Sequence, residues 1–200
     1  MKKLGLYIHI PFCKQKCNYC DFYSKACTQK ISQYISAISR QIENDASLYR
    51  DCEFDTIFIG GGTPSLIEPC DFEKLSSAIK SSLKLTQGLE FSIEANPGTL
   101  TKEKLIAYKN AGVNRLSIGL QSTDNTTLKA LGRIHTLEDF EKEKGTFTLG
   151  INIPSISMNP IDYLNKKSFI YTQSYAYLCD TDKYQISQHD VTMSNRDRLN

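Results

Sequence analysis

The 200-residue sequence lacks tryptophan, a clear excess of charge of either sign, and any long apolar segment. No apolar run approaches the roughly 18 residues that a membrane-spanning helix needs, so we expect no such helix. The 24 basic residues nearly balance the 22 acidic residues. That balance gives no electrostatic basis for binding nucleic acid or anionic lipid. The opening segment MKKLGLYIHIPFC lacks a signal-peptide cleavage pattern, so we expect no export.

Cysteine, by contrast, is plentiful, with seven residues in the chain. Without a secretion signal, this number is typical of reduced thiols and predicts a cytoplasmic location. Four of the cysteines share no spacing and are expected to be ordinary thiols: Cys27, Cys52, Cys70 and Cys179. The other three lie on one short segment, HIPFCKQKCNYCDF, as Cys13, Cys17 and Cys20. These three are the candidate metal ligands.

The C-x3-C-x2-C spacing supplies three thiolates, and no fourth ligand stands at a matching offset. A [4Fe–4S] cluster held by three cysteines keeps one iron open for a substrate or cofactor, so the spacing favours such a cluster. Zinc is the alternative, since zinc sites usually close all four positions with cysteine or histidine. Cys27 or His9 would then complete the site. The spacing alone leaves both metal sites open.

Strand and helix patterns alternate four times along the first 140 or so residues. Predicted strands cover residues 4–10, 54–59, 89–95 and 113–118. Predicted helices cover residues 31–48, 71–85 and 101–110, and a fourth helix starts at Asp124. This order is typical of βαβ units and a parallel sheet. We therefore expect an α/β fold.

The residues suited to chemistry follow the predicted strands. The cysteine segment, the three glycines at 60–62, Glu94 and Gln121 each come at or just after a strand end. In folds built of βαβ units, ligands bind outside the carboxyl ends of the strands. We expect these four groups to lie at one edge of the sheet.

Five segments, in order, are similar to one group of radical S-adenosylmethionine (SAM) proteins: LYIHIPFCKQKCNYCDFYS, IFIGGGTPS, FSIEANPGT, GVNRLSIGLQS and LKALGRIHT. This group contains oxygen-independent coproporphyrinogen III dehydrogenase and the heme chaperones of the HemW type. The resemblance covers about the first 140 residues. Asp21-Phe22-Tyr23 after the third cysteine, and the short segment before the first, resemble the chaperone branch.

The resemblance implies a role for each matching position. Cys13, Cys17 and Cys20 match the [4Fe–4S] cluster ligands. Three residues match contacts to SAM: Tyr7, Gly61 and Glu94. Five more match positions that hold a second SAM in the dehydrogenase: Tyr19, Gly62, Thr63, Gln121 and Arg133. No residue is assigned a catalytic role.

The resemblance implies two functions of different classes. One is a heme chaperone, which binds heme or porphyrin and passes heme to an acceptor that the sequence does not identify. The other is the dehydrogenase, in which a 5′-deoxyadenosyl radical from SAM oxidises the propionates of coproporphyrinogen III. A third possibility is a degenerate chain without activity.

The resemblance ends after about residue 140. The Asn-x-Asp-Leu element of the group lacks its aspartate after Asn152, and the His-Asn…Tyr-Trp segment implicated in heme handling is missing from a chain without tryptophan. Residues 184–187 faintly resemble a later element. We therefore predict a partial radical SAM core at residues 1–153 and a degenerate or truncated segment at 154–200. The expected architecture is an incomplete (β/α) barrel of four or five parallel strands with an irregular C-terminal tail.

Overall fold

The computed structural model describes residues 2–148, 155–158, 169–173 and 189–193. Its strands are β1 (Lys2–Ile10), β2 (Phe12–Cys13), β3 (Lys25–Ala26), β4 (Cys52–Gly61), β5 (Leu85–Ala95), β6 (Arg115–Ile118), β7 (Ser155–Met158), β8 (Phe169–Gln173) and β9 (His189–Met193). Its α-helices are α1 (Ile31–Asp45), α2 (Pro69–Ser82), α3 (Lys102–Ala111), α4 (Asn125–Ala130) and α5 (Leu137–Thr148). Short 3-10 turns cover Ala46–Tyr49 and Pro64–Leu66.

The main sheet has five strands in the order β1-β4-β5-β6-β7, and every neighbouring pair is parallel. In its register, His9 lies opposite Gly60, and Glu94 lies opposite Ser117. Parallel neighbours need crossover connections, and α1, α2 and α3 supply them between successive strands. The predicted α/β fold with a parallel sheet is confirmed.

The core lies between the sheet and its helices. Ile59 and Ile93, which pair across β4 and β5, are fully buried. From the helices, Phe72 of α2 packs on Tyr108 of α3 with ring centroids 4.6 Å apart. Each large apolar side chain buried in this way stabilises the fold by about 1.5–3 kcal/mol. This packing fixes the strand ends from which the site is built.

Both ends of helix α3 have residues that are typical of helix ends. The Thr101 side chain accepts a hydrogen bond from the Lys104 backbone N–H at 3.3 Å, as an N-cap does. Gly112 ends the helix with φ 93°, a conformation that glycine adopts without steric cost. Helix α2 begins two residues earlier than predicted, because Pro69 suits the first helical turn.

The helix predicted to start at Asp124 does begin there, with Asp124 as its N-cap, but it ends at Ala130 and a second helix follows. Gly132, with φ 73°, turns the chain after α4. A new helix, α5, then starts after Thr136, whose backbone N–H donates to Asp139 at 2.8 Å. The segment between the helices carries Arg133 and His135.

After α5, β7 extends the parallel sheet beyond β6, and β8 pairs with β9 in a separate antiparallel ribbon. The division of the chain at residue 153 stays a prediction. Cys179 and residues 184–187 lie outside the described residues. Within the described ranges, we find no helix that is both long and apolar enough to cross a membrane.

Candidate functional site

Loops from four neighbouring strands meet at the carboxyl edge of the sheet. The Gly62 N–H donates to the Ile10 carbonyl at 2.7 Å, and the Thr63 N–H donates to the Phe12 carbonyl at 2.8 Å. On the other side, the Gly119 N–H donates to the Ala95 carbonyl at 2.9 Å. These backbone bonds bring the segments after β1, β4, β5 and β6 side by side.

Cys13 is buried where the cysteine segment crosses the end of β4. The Thr63 hydroxyl donates to its Sγ atom at 3.5 Å. A Cβ atom at Gly62 would lie 2.9 Å from this sulfur and 2.6 Å from the Phe12 carbonyl oxygen. Glycine is therefore required here, because the backbone runs directly against the thiol.

Cys17 receives a hydrogen bond from Arg133, which reaches it from the turn between α4 and α5. Arg133 Nη1 lies 3.5 Å from the Cys17 sulfur. Its Nη2 atom donates at 2.7 Å to both the Gly119 carbonyl and Asn96 Oδ1. The guanidinium is thus held by two oxygen acceptors while it places a positive charge beside the Cys17 thiol.

The cysteine segment is also bound along its length to the turn after α4. The Asn18 backbone N–H donates to Leu131 O at 3.0 Å, and its side-chain amide donates to Ala130 O at 3.0 Å. Gln15 Nε2 donates to Gly132 O at 3.1 Å. The segment therefore has a defined conformation set by protein contacts alone.

A second group of contacts surrounds the end of β5. The Gly61 N–H donates to Glu94 Oε2 at 3.2 Å. The His9 ring lies against Gly61, because a Cβ atom at residue 61 would be 2.8 Å from the His9 Cε1 atom. The Tyr7 hydroxyl forms a hydrogen bond with His9 Nδ1 at 2.9 Å. Burial of the Glu94 carboxyl group raises its pKa to about 7, although part of the side chain reaches the surface.

An open cleft lies beside Cys17. Its lining combines a thiol, hydroxyl and amide groups, a guanidinium and an imidazole: Cys17, Thr63, Asn96, Thr99, Arg133 and His135. Arg133 Nε is buried without a hydrogen-bond partner within the described residues. An unpaired buried donor of this kind suits an anionic ligand, such as a carboxylate.

The sequence and fold place this chain in a known family. The model of the radical SAM superfamily matches residues 7–142. The chain belongs to the radical SAM superfamily. This membership confirms the predicted family and implies a [4Fe–4S] cluster and SAM as cofactors.

Radical SAM proteins similar to this chain include curated heme chaperones and one solved enzyme. Heme chaperone HemW of Buchnera aphidicola (subspecies Acyrthosiphon pisum) is 44% identical over 138 residues, which are 68% of this chain and 37% of the relative. HemW of Escherichia coli is 40% identical over 158 residues, or 78% of this chain and 42% of the relative. The chain thus spans about two fifths of these relatives. In the solved structures, coproporphyrinogen III oxidase (HemN) of Escherichia coli, a radical SAM enzyme, has a TM-score of 0.69 and 26% identity, with coverage of 78% of this chain and 36% of that chain.

The residues present fit an iron–sulfur cluster better than a single zinc ion. In the described part of the chain, no three His, Cys, Asp or Glu side chains are grouped closely enough to hold one metal ion. The cluster distributes its thiolates over separate iron atoms, so it does not require that grouping. Burial raises the pKa of Cys20, and the nearby Cys17 and Cys13 thiols raise it further.

The two residues proposed to complete a zinc site are engaged elsewhere. His9 bonds Tyr7 through Nδ1 and the Tyr23 carbonyl through Nε2, at 2.9 and 2.8 Å. The Cys27 thiol lies 3.8 Å from Gln29 Oε1. Both side chains thus have partners other than the three cysteines, so the contacts favour the cluster.

The predicted SAM residues fall into two sets in this radical SAM core. Tyr7, Gly61 and Glu94 belong to the group around His9. Thr63 and Arg133 belong to the cleft, next to Cys13 and Cys17. The roles of all these residues stay predictions.

Gln121 and Tyr19 have weaker links to the site. Gln121 has φ 70°, the one positive φ of a non-glycine residue in the described ranges. Such a backbone costs on the order of 1 kcal/mol and is found most often at functional sites. Tyr19 lies between Cys17 and Cys20 and is half-buried. Neither residue lines the cleft.

Sequence reasoning missed His135 and Asn96, which both line the cleft. His135 is buried, and its Nε2 donates to Leu120 O at 3.1 Å. Burial, and secondarily the charge of Arg133, lowers its pKa to about 4. Both residues stand inside quoted motifs, EANPG and GRIHT, but no spacing in the sequence predicts their partners.

Proposed function

We propose that this chain binds a [4Fe–4S] cluster through Cys13, Cys17 and Cys20 and serves in heme handling, as a heme chaperone of the HemW type. The observation that supports the cluster most strongly is the pair of hydrogen bonds from Thr63 and Arg133 to two of the three thiols. The heme function rests on the curated relatives named heme chaperone HemW. Those relatives are more than twice as long as the matched part, so the activity of the whole protein is part of this proposal.

We further propose that SAM lies across the two sets of residues at the sheet edge. Bound SAM would supply the amino and carboxylate groups that occupy the iron left open by the cysteines. The Glu94 carboxylate, at the end of β5, is suited to accept hydrogen bonds from ribose hydroxyls. Gly61 matches a SAM contact of the family, and its missing side chain makes room for the His9 ring beside Glu94.

The partners in this proposal are heme or a porphyrin and a heme acceptor protein. A cytoplasmic location is part of the same proposal. All six cysteines within the described residues are free thiols, which suits a reducing compartment. The near-neutral charge of the chain favours no nucleic-acid partner.

Oxygen-independent coproporphyrinogen III dehydrogenase is the second candidate. The structural similarity to coproporphyrinogen III oxidase (HemN), with a TM-score of 0.69, favours it. Against it stands the Asp21-Phe22-Tyr23 segment, which resembles the chaperone branch. The two candidates differ in whether the porphyrinogen is decarboxylated.

One experiment separates the candidates. Protein reconstituted anaerobically with iron and sulfide is given hemin in one series and coproporphyrinogen III with SAM and dithionite in another. The chaperone predicts a Soret band that saturates with hemin, transfer of that heme to an added apo-hemoprotein, and no loss of carbon dioxide. Decarboxylation that is absent in Cys17→Ala would establish the dehydrogenase instead. Neither heme binding nor decarboxylation by a cluster-loaded chain would refute both functions.

A further inference from the structure

Asn96 lies between two of the candidate cluster ligands without touching either sulfur. It follows β5 directly, and its Oδ1 atom accepts a hydrogen bond from Arg133 Nη2 at 2.7 Å. Its Nδ2 atom donates to Thr63 Oγ1 at 3.1 Å. Arg133 and Thr63 in turn donate to the Cys17 and Cys13 sulfurs, each at 3.5 Å. One amide therefore connects both hydrogen bonds to the thiols.

The partners of this amide fix its orientation. A guanidinium has donors only, so the amide oxygen must face Arg133. The amide nitrogen then faces Thr63 and donates to its hydroxyl oxygen. Because a hydroxyl has one hydrogen, that hydrogen is left for the Cys13 sulfur. The direction of the Thr63 hydrogen bond thus depends on Asn96.

The backbone of Asn96 is held as firmly as its side chain. Its N–H donates to Ser65 Oγ at 3.2 Å, and its carbonyl accepts from Thr99 Oγ1 at 2.5 Å. Ser65 and Thr99 are both buried and bond each other. Four hydrogen bonds, two from the backbone and two from the side chain, therefore fix the position of Asn96.

We propose that Asn96 is a positioning residue that aligns the Thr63 and Arg133 donors on two cluster thiolates and so raises the reduction potential of the cluster. This inference rests on the proposed cluster. Hydrogen bonds to cluster sulfurs stabilise the more negative, reduced state, and they are among the means by which proteins set cluster potentials. Residues in this outer layer act through the orientation of the groups that touch the ligand.

The test is the effect of Thr63→Val in three backgrounds: wild type, Asn96→Ala and Asn96→Asp. Valine has the shape of threonine but removes the donor to Cys13. In wild type, it should shift the midpoint potential of the cluster to a more negative value. With alanine at residue 96, nothing aligns the Thr63 hydroxyl on the Cys13 sulfur. With aspartate, both side-chain oxygens are acceptors, so the Thr63 hydroxyl hydrogen turns toward them instead. In both backgrounds Thr63→Val should have no further effect.

The measurement is a dithionite titration of reconstituted protein, followed by electron paramagnetic resonance, with iron content determined on the same samples. The comparison within one background cancels the added charge of aspartate, and it needs only one of the two Asn96 variants to fold. Asn110→Ala, on the exposed face of α3, is the matched control and should keep the wild-type potential.

Two results would overturn the inference. One is an equal shift by Thr63→Val in all three backgrounds, because the two residues would then act independently. The other is a wild-type potential in Thr63→Val itself. Failure of the wild-type protein to take up iron is a different outcome, since it removes the proposed cluster and this inference with it.

Discussion

Single polar side chains hold the strand-end loops in place by bonding to backbone atoms of other segments. Glu143 Oε1, from α5, accepts from the Gly98 and Leu100 N–H groups at 3.0 and 2.9 Å. Lys104 Nζ, buried in α3, donates to Ser65 O at 2.8 Å. Buried backbone groups need such partners, because an unpaired one costs about 1–3 kcal/mol. The loops around the cleft thus depend on side chains distant in sequence.

Glu94 gives a prediction for stability against pH. The pKa of this carboxyl group is raised from 4.5 to about 7 in the folded protein. The folded state therefore holds the proton more tightly than the unfolded state. Its contribution to the free energy of unfolding is fully present below pH 4.5 and is lost as pH rises through 7. The full shift corresponds to about 3 kcal/mol, and partial solvent access reduces this.

Glu94→Gln removes this titration. Relative to wild type, the variant without cofactors should gain free energy of unfolding as pH rises from 5 to 7, by about 1–3 kcal/mol. Urea unfolding at several pH values measures the difference. His135, whose pKa is lowered to about 4, has the opposite trend and is unchanged in both proteins, so it cancels in the comparison. If the free energies of unfolding of the two proteins stay parallel from pH 5 to 7, the raised pKa of the Glu94 carboxyl group is contradicted.

At this scale, the sequence predicts residues whose type and spacing carry the chemistry. Cys13, Cys17 and Cys20 are apparent from spacing alone, and Glu94 from its place at a strand end. Asn96 and His135 are not, because their importance comes from partners on other segments. A lone asparagine or histidine gives no sign of such partners until the chain is folded.

At the scale of elements, the cysteine segment and the turn after α4 form one unit. Three hydrogen bonds from Asn18 and Gln15 to residues 130–132 join them, and Arg133 extends the same turn to Cys17. The alternation of strands with helices predicts the parallel sheet, because parallel neighbours need crossover connections. The pattern does not predict the break between α4 and α5, because it depends on the conformation of Gly132. That break is what brings Arg133 to the thiols.

Asn18→Ala tests whether this unit preorganises the cysteine segment. The change removes the side-chain bond to Ala130 O and should loosen the segment by about 1 kcal/mol. Lys14 and Lys16 are exposed on the segment, so trypsin should cleave there about fivefold faster in the protein without cluster. Mass spectrometry of the fragments locates the cut. Asn110→Ala is the control, and identical cleavage rates for Asn18→Ala and wild type would count against preorganisation.

At the scale of the whole molecule, the chain contains a radical SAM core together with the candidate cofactor residues. The matched family region, residues 7–142, contains every candidate ligand and SAM residue. The main sheet contains five parallel strands, as expected of an incomplete barrel. The heme function, in contrast, belongs to relatives of which this chain spans about two fifths. Cofactor binding is therefore the property that the described residues support most directly.

Iron and acid-labile sulfide, counted per chain after anaerobic reconstitution, show whether Cys13, Cys17 and Cys20 hold a [4Fe–4S] cluster. Cys17→Ala removes one ligand, and Cys70→Ala, an exposed thiol on α2, is the matched control. We expect about four irons and four sulfides in wild type and in Cys70→Ala, and a loss of the cluster in Cys17→Ala. Stoichiometric zinc without iron uptake, or the same iron content in Cys17→Ala as in wild type, would contradict it.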